Sequence, residues 1–249
     1  MRYKMKNNYR TILLCFLTIC LCVNSVKSQS SLALNGGFNQ PIFYSSQEKS
    51  VYRHSFSSYN AYSFNFTYKE DFSELQKNLR LGAQLEFKQQ SAWFYYEDNF
   101  PADTFATGVR YDIKSLNLYI FPELTVGENV KFVLSGGPVL QYIVNTKAKG
   151  TRVQLITGQS NIETDIDDKN SNDISGFCFG AKISLGVEIP IYRNLYLCFN
   201  NSYTAGITGF QGNVRKQMKY YNCLDINISG GILYQINHKD WFKKKQKQK

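Results

Sequence analysis

The stretch 176–189, GFCFGAKISLGVEI, alternates between two kinds of side chain. Its odd-numbered positions are all apolar, from Phe177 to Ile189, whereas its even-numbered positions are small or charged except for Cys178. Because successive side chains of a strand point to opposite faces, this pattern predicts one strand between two different environments. The run exceeds the ~5–6 residues of an ordinary strand and is long enough for the ~9–11 that cross a bilayer. We therefore interpret it as a transmembrane strand.

The same alternation recurs along the chain and predicts eight strands. We place them at residues 31–39, 59–69, 79–88, 108–121, 129–145, 176–189, 195–206 and 222–237. The connections between them are alternately long and short, as in outer-membrane barrels with short periplasmic turns and long outer loops. The sequence therefore predicts an all-β fold, an eight-stranded antiparallel up-and-down transmembrane β-barrel. We expect it in the bacterial outer membrane, with the N-terminus and the C-terminus of the barrel both on the periplasmic side.

The first residues have the pattern of a secretory signal peptide. A basic segment precedes the apolar run 11–23, which is shorter than the ~20 residues of a transmembrane helix, and Val26 and Ser28 are suitably placed before a cleavage site. We therefore predict a signal peptide at residues 1–28 and a barrel domain at residues 29–237. The alternative is a lipoprotein signal acylated at Cys20 or Cys22, but the residues before these cysteines are not small.

The formal net charge of +10 comes mainly from the two ends of the chain. The signal segment is basic, and residues 238–249 hold a run of lysines that we interpret as a basic periplasmic tail. The segment between them has balanced charges, so we expect no nucleic-acid partner.

Alternation alone does not say which face of a barrel is apolar, and a soluble barrel would turn its apolar face inward. Here the polar face consists mostly of small residues, which an eight-stranded interior can hold, and it has few charges. We therefore expect the bulky face to contact outer-membrane lipid, with aromatic girdles near the strand ends. The girdle residues that we predict are Tyr59, Tyr68, Phe87, Tyr119, Phe121, Tyr142, Phe177, Tyr203, Tyr220, Tyr221 and Tyr234.

Several charged residues then fall on the inner face. They are Arg80, Glu86, Lys88, Lys131, Lys182, Glu188 and Asp225. Because buried charges must pair, we predict a salt-bridge network that plugs the lumen. Arg80, Lys131 and Glu188 should lie near the periplasmic end, with Lys182 and Glu86 higher. A proton or ion path is the alternative. The upstream half of the fourth strand shifts phase near Tyr111 and Ile113, which predicts a β-bulge there.

Three segments carry a family resemblance: SLNLYIFPELTVGENVKFVLSGGPVLQYIV at 115–144, residues 176–210, and the closing LDINISGGILYQI at 224–236. The chain resembles the outer-membrane β-barrel domain family of Bacteroidetes, a porin-like group that includes PorT-like proteins. The resemblance implies the barrel fold and, for PorT-like members, a link to protein secretion. It implies no catalytic residue. The lysine-rich extension after the last strand departs from the usual end of the family.

Other features suggest chemistry only weakly. His54 and Ser55 in the first outer loop could serve a lipid-modifying enzyme, the acidic loop from Glu163 to Asp173 could bind calcium, and the cluster from Trp93 to Tyr96 suits either adhesion or the membrane interface. We predict no enzyme activity, no catalytic residue, no metal and no cofactor. The predicted function is structural or interaction-based, through the surface loops or the tail, with an unknown protein partner. A narrow channel for small solutes is the alternative, and a lipid-modifying enzyme is less favoured.

Overall fold

The computed structural model describes residues 29–45, 52–71, 78–99, 103–156, 162–168, 174–207, 211–212 and 221–236. Within them lie eleven strands. These are β1 (Gln29–Ser45), β2 (Tyr52–Asp71), β3 (Leu79–Asn99), β4 (Asp103–Val126), β5 (Lys131–Ile156), β6 (Ile162–Asp168), β7 (Ile174–Ser175), β8 (Phe177–Tyr192), β9 (Leu195–Gly206), β10 (Gln211–Gly212) and β11 (Tyr221–Ile236). The predicted signal peptide and tail lie outside the described residues.

Eight of these strands form a closed antiparallel barrel. The order around the wall is β1, β2, β3, β4, β5, β8, β9 and β11, and β11 pairs with β1 to close the sheet. The long strands therefore follow one another around the wall in chain order, which confirms the predicted up-and-down barrel. Closure leaves no unpaired edge in the wall, as a bilayer requires of a spanning sheet. Among the described residues, no helix is long and apolar enough to cross a membrane.

The two faces of the wall have the predicted polarity. Outward side chains such as Phe38, Ile183 and Phe199 are 76%, 57% and 53% exposed, whereas charged side chains such as Glu188 and Lys182 are buried inside. An apolar outer surface of this kind is stable against lipid and not against water. The chain is thus a transmembrane barrel with an apolar exterior and a polar lumen.

Several predicted loops are in fact prolonged strands. The predicted loop 89–107 is mostly the paired ends of β3 and β4, in register from Gln89 opposite Lys114 to Asn99 opposite Thr104. Likewise β2 begins at Tyr52, β5 continues to Ile156, and β6 pairs with the upper part of β5. Outside the bilayer the outward face no longer needs to be apolar, so these segments lose the alternation by which strands are recognised. We call the upper parts of β2–β5, together with β6, the sheet extension.

The predicted bulge lies on the neighbouring strand. Lys114 of β4 pairs with Asn145 of β5 and Ser115 pairs with Ile143, so the extra residue is Val144 on β5. β4 itself keeps an unbroken register with β3 through this region. Tyr111 and Ile113 are therefore not out of phase; they are large residues on the inner face, and both are buried.

Two aromatic residues assigned to the lipid girdle also point inward. Tyr119 and Phe121 share the inner face of β4 with Asn117, are each 2% exposed, and stack with ring centroids 4.4 Å apart. Phe121 fits because it covers Gly82 on β3, where a side chain would collide with its ring. Phe177, Tyr203 and Tyr234 are exposed on the outer face, as predicted.

Candidate functional site

The lumen is crossed by two layers of ionised side chains. The layer nearer the predicted periplasmic end, which we call the lower layer, contains Lys69, Asp71, Arg80, Glu123 and Glu188. The upper layer contains Glu86, Lys88, Lys182 and Asp225. All of these side chains are buried except that of Asp71, which is partly exposed. The barrel wall brings them together because alternate residues of every strand point inward.

Arg80 is the centre of the lower layer. Its Nε donates to Asp71 at 2.6 Å, and its Nη1 lies 3.2 Å from Glu123 Oε1 and 2.8 Å from Glu188 Oε2. Asp71 and Glu123 are its direct neighbours on the adjoining strands, whereas Glu188 reaches it from β8. Three carboxylates thus surround one guanidinium, which has five N–H donors to satisfy.

Lys69 is the second cation of the lower layer. Its Nζ lies 2.8 Å from both Glu123 Oε2 and Glu188 Oε1, so each of these carboxylates contacts two cations. Desolvating such charges is costly, and the shared contacts offset that cost only while the set is complete. The lower layer therefore behaves as one unit rather than as separate pairs.

Lys131 lies beside the lower layer without joining it. Among the described residues it forms no ion pair; its Nζ is instead 5.2 Å from the ring centroid of Tyr196. Lys131 pairs in register with Glu188, but that carboxylate is occupied by Lys69 and Arg80. The structure therefore places Arg80 and Glu188 together and leaves Lys131 in a cation–π contact.

The upper layer consists of two smaller groups. Lys88 pairs with Asp225, and Lys182 Nζ lies 3.9 Å from Glu86 Oε2. The Glu86 carboxylate also accepts hydrogen bonds from Asn117 at 3.1 Å and Asn227 at 3.3 Å. The side-chain amides of Asn117 and Asn227 thus help to solvate the Glu86 carboxylate, because its cation, Lys182, is at the limit of ion-pair distance.

Tyr119 fills the space between the layers. Lys182 Nζ lies 5.1 Å from its ring centroid, and its hydroxyl donates toward Ser135 or the Lys182 carbonyl, each at 3.3 Å. Two small cavities adjoin it, with volumes of about 20 and 30 Å³. Such cavities have room for one or two water molecules but not for a hydrated ion. The two charged layers and Tyr119 thus occupy much of the lumen at this level in the described residues.

Sequence reasoning missed Lys69, Asp71 and Glu123. Lys69 is the last residue of the predicted second strand, Asp71 lies just beyond it, and Glu123 was placed in the turn that begins at Pro122. Continuing the inward parity by one or two residues would have found all three. Without these three residues, the predicted set of charges did not explain how Arg80 and Glu188 can both be buried.

The structure places the weaker candidate sites on strands, and part of their side chains lie outside the described residues. His54 and Ser55 lie in β2, with backbones paired to Tyr96 and Tyr95, and their side chains lie outside the described residues. The predicted acidic loop is partly β6, an exposed strand. The described residues contain no group of three or more His, Cys, Asp or Glu that could hold a metal. Cys178 and Cys198 are buried, unpaired lumen residues.

A closed eight-stranded sheet with an apolar exterior and an ionised, packed interior defines a small outer-membrane β-barrel protein. No protein-family model matches the sequence. A search of curated proteins also finds no relative.

Solved structures with a similar shape include three small outer-membrane barrels. OprG from Pseudomonas aeruginosa has 10% identity, with 83% of this chain and 96% of that chain covered and a TM-score of 0.45. Neisserial surface protein A has 14% identity, coverage of 82% and 96%, and a TM-score of 0.41. Ail of Yersinia pestis has 10% identity, coverage of 82% and 99%, and a TM-score of 0.38. Because these TM-scores are low, the assignment to small outer-membrane β-barrel proteins depends on the closed sheet and on the different polarity of its two faces.

Proposed function

We propose that the protein is a closed outer-membrane barrel that holds a β-sheet extension above the bilayer for interaction with another molecule. The observation that carries this proposal is the pair of buried ionic layers across the lumen. A solute path would have to separate Arg80 from Glu188 and Lys88 from Asp225, which breaks contacts between buried charges that have been desolvated. The barrel then serves as a rigid support that anchors the sheet extension in the membrane, rather than as a pore.

The length of the strands supports the interaction role. β3, β4 and β5 continue past the apolar belt as paired strands, and β6 adds a further strand to their edge. A regular sheet holds side chains in fixed positions at lower entropic cost than a long loop. The extension is therefore suited to present a surface to a partner, and no enzymatic role is part of the proposal.

Conductance in planar bilayers tests the closed lumen. The parent protein should give no steady ion current, because the described cavities are too small for hydrated ions. The variant Arg80→Ala/Glu188→Ala removes both groups of the contact across the lumen and should admit current if it still folds. Steady current through the parent would overturn the proposal and favour the second candidate, a narrow channel, which the small cavities beside Tyr119 support.

Photo-crosslinking tests the interaction role. A crosslinking amino acid at Thr164, exposed on β6, should capture a partner in the native membrane, and one at Ile183, on the lipid face, should not. Capture of a secretion component would support the resemblance to PorT-like proteins, which we retain as a proposal. Equal capture from both positions would contradict a partner site on the extension.

A further inference from the structure

Four basic residues lie together on the outer surface of β4 and β5. They are Arg110 and Lys114 on β4 and Lys147 and Lys149 on β5, and we call them the lysine patch. In register, Arg110 lies opposite Lys149 and Asp112 lies opposite Lys147. Opposed side chains have Cβ atoms ~4.5–5.5 Å apart, and positions two residues apart on a strand are separated by ~7 Å. The patch is thus a compact block on one face of two strands.

The patch is positive after its own ion pairs are counted. Asp112 accepts from Arg110 Nε at 3.1 Å and also from Ser91, and Asp167 of β6 is opposite Lys149. Within the described residues, Lys114, Lys147 and Lys149 have no ion pair within 4.0 Å, and the latter two are exposed. The surface therefore has cationic groups available for an external anion.

The height of the patch identifies the kind of anion. Leu116 is the next outward residue below Lys114 on β4, and on β5 Val144, 49% exposed, lies just below Asn145 and Lys147. The outward face thus changes from apolar to basic within one or two residues. Lysines at this boundary place their charged ends at the level of the lipid headgroups while their methylene chains cover apolar surface.

The wall behind the patch is firmly packed. Ile113, Thr146 and Ala148, on the opposite face of the same strands, are 0%, 2% and 2% exposed. The backbone that carries the lysines is therefore fixed, so binding at the patch has to order the lysine side chains but not the strands beneath them.

We propose that the lysine patch binds the phosphate groups of the glycolipid headgroups in the outer leaflet, which would fix the height and rotation of the barrel in the membrane. Charge complementarity and the position directly above the lipid-facing belt favour a membrane lipid over a soluble anion. The site goes beyond the proposed function, since a barrel without a surface partner could still bind lipid here.

The test uses the full chain folded into phosphatidylcholine vesicles and titrated with bisphosphorylated lipid A, with retained lipid A per protein measured by mass spectrometry. The parent should bind lipid A and not its dephosphorylated form. Lys114→Gln/Lys147→Gln/Lys149→Gln should weaken binding on the order of a hundredfold, since each basic residue at a membrane surface contributes a factor of about five.

Two further variants control for charge and folding. Lys243→Gln/Lys244→Gln/Lys245→Gln removes the same charge from the C-terminal tail and should bind as the parent does. Lys114→Arg/Lys147→Arg/Lys149→Arg keeps the charge and should retain binding. Folding of each variant is checked by its migration on unheated gels.

Three outcomes would overturn the proposal. The first is equal binding of phosphorylated and dephosphorylated lipid A, which would indicate acyl-chain contacts alone. The second is unchanged binding by the folded glutamine variant. The third is binding of a soluble heparin fragment in place of lipid A, which would make the patch a site for polysaccharide. Each can occur whether or not the barrel conducts ions, so failure here is distinct from failure of the closed-lumen proposal.

Discussion

Arg80 and Glu188 meet inside the barrel, with 2.8 Å between Nη1 and Oε2, although their strands are not neighbours in the wall. Arg80 is on β3 and Glu188 on β8, and β4 and β5 lie between them. Both side chains are buried, at 5% and 2% exposure. The contact therefore crosses the lumen and connects separate parts of the wall, so it obstructs the lumen as well as stabilising the fold.

Removing the guanidinium should destabilise the barrel strongly. Arg80→Met removes the cation that Asp71 contacts and leaves Glu123 and Glu188 with Lys69 as their remaining partner in the lower layer. Breaking a buried ionic group by removing one member costs about 3–5 kcal/mol. Urea unfolding of the protein in lipid vesicles, followed by tryptophan fluorescence, should show a loss of this size.

An exposed arginine provides the matched control. Arg110 pairs with Asp112 at 3.1 Å on the sheet extension, with side chains 48% and 35% exposed. Surface ion pairs contribute at most about 1 kcal/mol, so Arg110→Met should change the free energy of unfolding by no more than that. Similar losses in the two variants would show that Arg80 is not in a desolvated layer.

The sequence was sufficient to predict the barrel because the bilayer imposes a simple rule. Every spanning strand must show lipid one face and the lumen the other, and residues 176–189 display this rule over their full length. The turn before Leu195 and the limits of β9 were accurate for the same reason, since the strand ends where the apolar positions end.

The prolonged strands, the inward aromatic residues and the lower layer could not be predicted from alternation. Residues 89–99 of β3 and 103–107 of β4 are paired strands whose side chains carry no period-two signal. Inside the barrel, Tyr119 and Phe121 have the same chemistry as girdle residues and differ only in the parity of their positions. The lower layer depends on Glu188 of β8 meeting Lys69 of β2 and Arg80 of β3 across the lumen, a three-dimensional relation that no local pattern contains.

A charge on the lipid face should be costly. Ile183 is 57% exposed on the outer surface of β8, and Lys182 beside it is buried in the lumen. Ile183→Lys should lose about 2–4 kcal/mol when placed near the bilayer midplane, because lipid cannot solvate the ammonium group. Reversible unfolding in phosphatidylcholine vesicles measures the loss.

Thr164→Lys is the control for Ile183→Lys. Thr164 is exposed on β6, above the apolar belt, where added charge faces water, and the expected change is within about 0.5 kcal/mol. If Ile183→Lys folds as stably as the parent, the assignment of the two faces of the wall is wrong.

The inward position of Phe121 predicts an effect that a girdle residue would not have. Its ring covers Gly82 and stacks on Tyr119, so Phe121→Ala should leave a cavity and cost about 3–5 kcal/mol. Phe179→Ala removes a ring that is 56% exposed on the lipid face, where lipid chains can fill the space, and should cost clearly less. Unfolding both variants in the same vesicles measures the two losses in the free energy of unfolding. A larger loss for Phe179→Ala than for Phe121→Ala would mean that Phe121 lies in the lipid girdle after all.

The glycines of the wall differ in the space around them, and this difference predicts opposite effects of adding a methyl group. A Cβ on Gly137 would lie 2.2 Å from the carbonyl oxygen of Ile120, where the β4–β5 pairing is interrupted between Tyr119 and Glu123. Gly137→Ala should therefore cost about 1–3 kcal/mol. Gly36 has no atom within 4 Å of the same position, so Gly36→Ala should be neutral or stabilise the barrel by up to about 1 kcal/mol through the unfolded chain. Neither glycine has a positive φ, so unfolding both variants in urea isolates packing from backbone conformation. Equal effects would mean that β4 and β5 can separate at this point without loss of stability.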